Sequence, residues 1–116
     1  MKKLQLLLIF SLFGHVVMTN EVNVYTSRHY DSDDALYEEF TKETGIAVNI
    51  VSGKGSALLQ RLKAEGVNSP ADIFFTVDAG NLWKVQREDL FQSIKSEQIL
   101  KVVPENLRGP DNEWTA

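Results

Sequence analysis

From Val22 onward the chain alternates short apolar runs with longer amphipathic ones at an even period. "VNVYT" at 22–26 is rich in β-branched and aromatic residues and reads as a strand. Asp31, Asp33 and Asp34 then supply cap and first-turn acids that suit a helix dipole, and Leu36 and Phe40 stand four apart on one face before Gly45 stops the helix. "IAVNIVS" at 46–52 predicts the second strand. In the next helix Leu58, Leu59 and Leu62 form an apolar stripe that ends at Gly66, and Pro70 bars continuation. "ADIFFTV" at 71–77 is almost continuously apolar, as expected of a strand covered on both faces. A third helix is expected over 79–90, a short fourth before Pro104, and a turn at "RGPDN". Trp114 and Thr115 have the composition of another strand start, so the chain reads as truncated.

Strand and helix in strict alternation specify an α/β fold built of βαβαβ units, with parallel strands and helices on both faces. In such a sheet the loops leaving the carboxyl ends of the strands share one edge, where open α/β folds bind ligands. Here those loops are Ser27-Arg28-His29-Tyr30, Gly53-Lys54-Gly55-Ser56 and Thr76 to Gly80.

The first twenty residues follow a different pattern. A basic Met1-Lys2-Lys3 start precedes a dense apolar run from Leu4 to Phe13. That run is about half of the roughly 20 residues a spanning helix needs, so residues 1–20 are expected to be a secretory signal, with cleavage near Glu21 and no A-x-A site to fix it. Residues 21–116 form the folded part, and the mature product is expected in the periplasm where an outer membrane exists. The net charge of -4, without a Lys/Arg cluster, argues against nucleic acid, and the absence of cysteine excludes disulfides, zinc-thiolate sites and thiol catalysis.

Candidate chemistry concentrates on the strand-end loops. His29 and Tyr30 offer an imidazole and a phenol, both ligands for iron, and the hard phenolate oxygen suits a small, highly charged cation that displaces its proton. The alternative is that His29 caps a turn while Tyr30 packs over the first helix. Gly53, Gly55 and Ser56 could hold an anion on backbone N–H groups, although neither phosphate-loop fingerprint is matched; the competing reading is a tight turn with Ser56 as helix cap. Asp78, with Asp31, Asp33 and Asp34, could bind magnesium or accept a phosphoryl group, or simply cap helices. No Ser/His/Asp or Cys/His constellation can be assembled, so an enzyme is not expected. Trp83, Trp114, Phe74 and Phe75 read as core.

Five separated stretches resemble one family: Tyr25-x-Ser27-Arg28-His29-Tyr30, Phe40-Thr41 with Gly45-Ile46, Gly53-Lys54-Gly55, Ser69-Pro70-Ala71-Asp72 and Val77-Asp78-Ala79-Gly80. Together they look like the start of the periplasmic ferric-iron-binding proteins, the substrate-binding components of iron(III) ABC importers. The resemblance implies the first part of one lobe of a two-lobed, type II, transferrin-like binding protein. It also implies Fe³⁺ as ligand, an ABC permease as partner and a monomeric state. His29 and Tyr30 would be this lobe's metal ligands, with further tyrosines supplied by later sequence. Val77-Asp78 stands where some members carry a ligating glutamate, which places the chain nearer the tyrosine-rich branch. Charge complementarity suggests that Arg28 supports a phenolate from outside the ligand set, with Asp78 lining the cleft. The rival reading is a cytoplasmic receiver-like module phosphorylated on Asp78.

Overall fold

A computed structural model describes residues 20–116; the leader expected over residues 1–20 lies outside them, Asn20 apart. Three parallel strands, β1 (Glu21–Thr26), β2 (Ala47–Ser52) and β3 (Ile73–Phe75), form a sheet in the order β2-β1-β3. Helices α1 (Asp31–Thr44) and α2 (Gly55–Glu65) follow the first two strands, and α3 (Ala79–Arg87) and α4 (Glu97–Val102) follow the third. Glu21 pairs with Ala47 through to Thr26 with Ser52, while Val24, Tyr25 and Thr26 pair with Ile73, Phe74 and Phe75. The central strand is therefore the most buried. Tyr25 points to a core with Leu58 and Leu62 of α2 and Val85 of α3. The side chains of Val24 and Thr26, also buried, point to the opposite face, as the period of two requires.

Helix ends follow local chemistry. Gly45 ends α1 at φ 73° with its N–H on the Thr41 carbonyl, a left-handed conformation that glycine takes without strain. Asp78 caps α3 by accepting from the Asn81 N–H at 2.8 Å, and Ser96 caps α4. Ser56 does not cap α2: the helix starts one residue earlier, at Gly55, and the extended cap position belongs to Lys54, with no side-chain bond.

Several expectations change in extent or orientation. The third strand occupies only Ile73–Phe75 of the expected 71–77, and Ile73 is 49% exposed, so among the described residues β3 is not covered on both faces. The third helix ends at Arg87, because Glu88 leaves it and Asp89 turns left-handed. Leu36 is 56% exposed and Phe40 also faces out, so the stripe expected on α1 is not its buried face; half-buried Tyr37 and Thr41 are turned inward. Trp83, expected in the core, is 51% exposed beneath the Arg87 guanidinium. Trp114 is half-buried and donates to Gln86 Oε1 at 2.7 Å, and the strand start expected there is a single antiparallel bridge from Thr115 to Arg108. Gly109 lies so close that an added Cβ would collide with the Trp114 indole.

Candidate metal centre

The three strand-end loops are tied to one another along the carboxyl edge of the sheet. Ser27 donates its N–H to the Phe75 carbonyl at 3.0 Å and its hydroxyl to Thr76 Oγ1 at 2.9 Å. Gly53 N–H reaches back to the Thr26 carbonyl at 3.1 Å. Thr76 Oγ1 also accepts from the Asn81 amide at 3.2 Å, linking the start of α3 to the same edge. These bonds continue the sheet's pairing into the loops and hold their roots in place.

His29 and Tyr30 stand adjacent on the first of these loops, both exposed, with Tyr30 at 56%. Tyr30 occupies the extended position just before α1. The pair sits at the mouth of a cavity of about 280 Å³ whose other walls include Thr26, Arg28, Asp33, Tyr37 and Ser52. Arg28 is gripped by Asp33 through two bonds, Nε to Oδ2 and Nη2 to Oδ1, both 2.9 Å. Its guanidinium lies 5.0 Å from the Tyr30 ring centroid and 4.3 Å from that of Phe75. Cations so placed are attracted by the ring quadrupole. The hydrogen bonds from Arg28 hold the Asp33 carboxyl below its ordinary range, and the same bonds raise the guanidinium.

Tyr37 closes the cavity from α1. Its hydroxyl is buried and has no hydrogen-bond partner among the described residues. Burial, and then the nearby charge of Asp33, push its phenol above the usual value, so it stays a neutral donor.

Of the residues singled out from sequence, the structure gathers Arg28, His29 and Tyr30 around one cavity, with Asp31, Asp33 and Asp34 on its wall. Asp78 lines a neighbouring cavity of about 350 Å³ that shares only Arg28 with the first. Its carboxylate is occupied by Asn81, through both backbone and side chain. Gly53, Gly55 and Ser56 line neither cavity, and each of the two glycines has a packing reason: a Cβ would press on Leu58 at Gly53 and on the Asn81 amide at Gly55. The receiver-like arrangement is not assembled, because Asp78 and the Asp31–Asp34 group line different cavities and Asp33 is committed to Arg28. Among the described residues no three His, Cys, Asp or Glu groups converge as a metal site. What sequence reasoning missed is the pairing of Asp33, weighed there only as a helix cap or magnesium ligand, with Arg28, and the part of Tyr37 in the cavity wall. An Arg and an Asp five apart across a loop-to-helix junction carry no periodic signal, and Tyr37 was hidden beside the more apolar Leu36.

Residues 26–116 match the family described as bacterial extracellular solute-binding protein. Among curated relatives, "Iron uptake protein A1" of Synechocystis is 51% identical over 94 residues, which make up 81% of this chain and 26% of that protein. A Trichodesmium structure described as in complex with iron and citrate ligands superimposes with a TM-score of 0.78 at 51% identity, covering 83% of this chain and 30% of the other. The ferric binding protein of Campylobacter jejuni gives a TM-score of 0.80 at 41% identity, covering 82% and 30%. The chain thus spans about a quarter of the length of the curated relatives it matches.

Proposed function

This chain belongs to the bacterial extracellular solute-binding proteins, a family of binding proteins and not of enzymes, and from that membership we propose that it carries the first-lobe part of a ferric-iron site, used in the periplasm to deliver iron to an ABC importer. The observation that carries this reading is the placement of His29 and Tyr30, adjacent and exposed, on the ligand-binding edge of the parallel sheet. Relatives named for iron uptake and for ferric-iron binding support the choice of cargo.

The chemistry is capture. Ferric iron prefers hard oxygen donors, and a phenol whose ordinary pKa is about 10 becomes a phenolate at neutral pH when the metal displaces its proton. The imidazole of His29 adds a neutral donor beside it. Both side chains project from a loop whose root is bonded to β3, so they meet an incoming ion without the sheet having to move. Asp78, fixed as the α3 cap, lines the cleft beyond Arg28 and takes no ligand role in this reading.

Gallium(III), a diamagnetic ion of the same charge and similar size, makes the site visible by NMR. Titrating gallium citrate into the ¹⁵N-labelled chain is expected to move the His29 and Tyr30 amides first. Tyr30→Phe should remove that response and His29→Ala should weaken it. Shifts confined to the exposed acids of α1, or none beyond those of citrate alone, would overturn the reading.

A further inference from the structure

Arg28 and Asp33 bracket the donor pair in sequence and are locked together in space. On one flank the Arg28 N–H is bound to Thr26 Oγ1 at 3.0 Å; on the other the Asp33 N–H is bound to the Tyr30 carbonyl at 2.9 Å. The two side chains then close the ring with their paired 2.9 Å bonds. First-turn acids usually act on a helix dipole from solvated positions. Asp31 and Asp34 do so and are exposed, whereas Asp33 between them is only 8% exposed. Burying a carboxylate is costly unless it is paired and hydrogen-bonded, so the burial of this one acid calls for a purpose beyond capping. The partner's geometry supplies one. The guanidinium held by Asp33 lies over both the Phe75 ring of β3, 4.3 Å from its centroid, and the Tyr30 ring of the loop, 5.0 Å from its centroid. Its position is set by three elements at once: the sheet, the helix and the loop.

We infer that Asp33 and Arg28 form a clip that fixes the Tyr30 ring in orientation before metal arrives, with Asp33 acting as a positioning residue through Arg28. For its purpose the clip rests on the ferric-donor reading above; for its existence it does not. A preset donor loses less conformational freedom on binding, which is how outer groups strengthen a ligand they never replace. Lysine cannot substitute for the arginine, since it offers no planar fork to Asp33 and no flat face to two rings.

The test uses the full chain with Asp33→Asn and, separately, Arg28→Lys, which keeps the positive charge but removes the fork. Far-UV circular dichroism and the dispersion of the amide spectrum establish that each variant is folded. In both, the backbone order parameters of His29 and Tyr30 are expected to fall from the rigid range near about 0.85 toward the flexible range below about 0.6, while β1 and α2 keep theirs. Gallium affinity should weaken about tenfold, the lower end of what such outer partners contribute. Unchanged order at Tyr30 in both variants, with the gallium response retained, would overturn the clip and leave the donor reading standing. A wild-type-like Arg28→Lys would likewise overturn it, by showing that charge alone suffices. No gallium response in the unaltered chain would instead overturn the donor reading and the clip's purpose with it, whatever the order parameters show.

Discussion

Tyr25 is fully buried, yet its hydroxyl meets a carboxylate. It donates to Glu65, within 2.9 Å of both oxygens, and Glu65 also accepts from Arg61 and Ser69 at 2.7 Å each. The Arg61 guanidinium covers the Tyr25 ring at 4.9 Å. This group fastens the end of α2 to the central strand. Replacing Tyr25 with Phe keeps the packing and removes one bond, so urea denaturation should show a loss of about 1 kcal/mol. The pH dependence has a definite sign. Arg61 and then Ser69 hold the Glu65 carboxyl below its ordinary range, and Arg28 does the same for Asp33. A depressed carboxylate contributes stability that is complete above its unfolded pKa and is lost as pH falls through the folded one. The thermal midpoint should therefore hold steady near neutrality and drop in the acid range below about pH 4, and Glu65→Gln should flatten that drop. A midpoint that rises on acidification would show that neither pair supports the fold. At the alkaline end, burial and the Glu65 bond raise the Tyr25 phenol, so stability falls once unfolded tyrosine ionises, above about pH 10. None of this network was legible in the sequence, where Glu65 is one more acid on an amphipathic helix and Tyr25 one more aromatic in a strand.

At the scale of elements the sequence was far more informative, because strands and helices are written in local periods and caps. The three strands, the glycine stops at Gly45 and Gly66 and the cap at Asp78 are all local signals, and all are realised. What local signals do not encode is rotation about a helix axis. Helix α1 carries two candidate stripes, Leu36 with Phe40 and Tyr37 with Thr41, and hydrophobicity alone favours the first. The Asp33–Arg28 bonds fix the first turn against the sheet, and that rotation turns Tyr37 toward Thr26 and Ile50 and sends Leu36 outward. Helix α2 carries a single stripe and obeys it, with Leu58 and Leu62 buried. Two substitutions separate these cases. Leu36→Gln should change stability by no more than about 0.5 kcal/mol, as surface changes do. Leu58→Ala should cost about 2–5 kcal/mol through lost burial and a cavity. Comparable losses in the two variants would mean that α1 buries the Leu36 face after all.

At the scale of the whole molecule, the βαβ arrangement accounts for the position of the proposed donors, His29 and Tyr30, and also limits what they can do. Parallel pairing puts all three loops on one edge, and the bonds from Ser27 and Gly53 draw them together there. That convergence was legible from the order of elements alone. The edge nevertheless presents His29 and Tyr30 to open solvent, and among the described residues no further cluster of metal-binding acids or imidazoles joins them. Asp33 is bound to Arg28 and Asp78 to Asn81, and the other two carboxylates on the cavity wall, Asp31 and Asp34, are exposed first-turn acids of α1. A hard trivalent ion retained by two exposed donors still keeps water or citrate in its remaining positions, and those ligands compete with the protein for it. Tight, water-excluding capture needs a second surface to close over the first, as the two-lobed binding proteins provide. The 116-residue chain on its own should therefore show only weak ferric binding. When ferric citrate is titrated in, the visible absorption should stay close to that of ferric citrate alone, without an intense tyrosinate-to-iron band. The gallium response at His29 and Tyr30 would still be present, because contact with the metal needs only these two donors while an intense, saturable colour needs a stable ferric phenolate. A strong band saturating at one iron per chain would mean that this edge completes the coordination by itself, and Tyr37, which lines the same cavity, would be the first residue to replace in search of the missing donor.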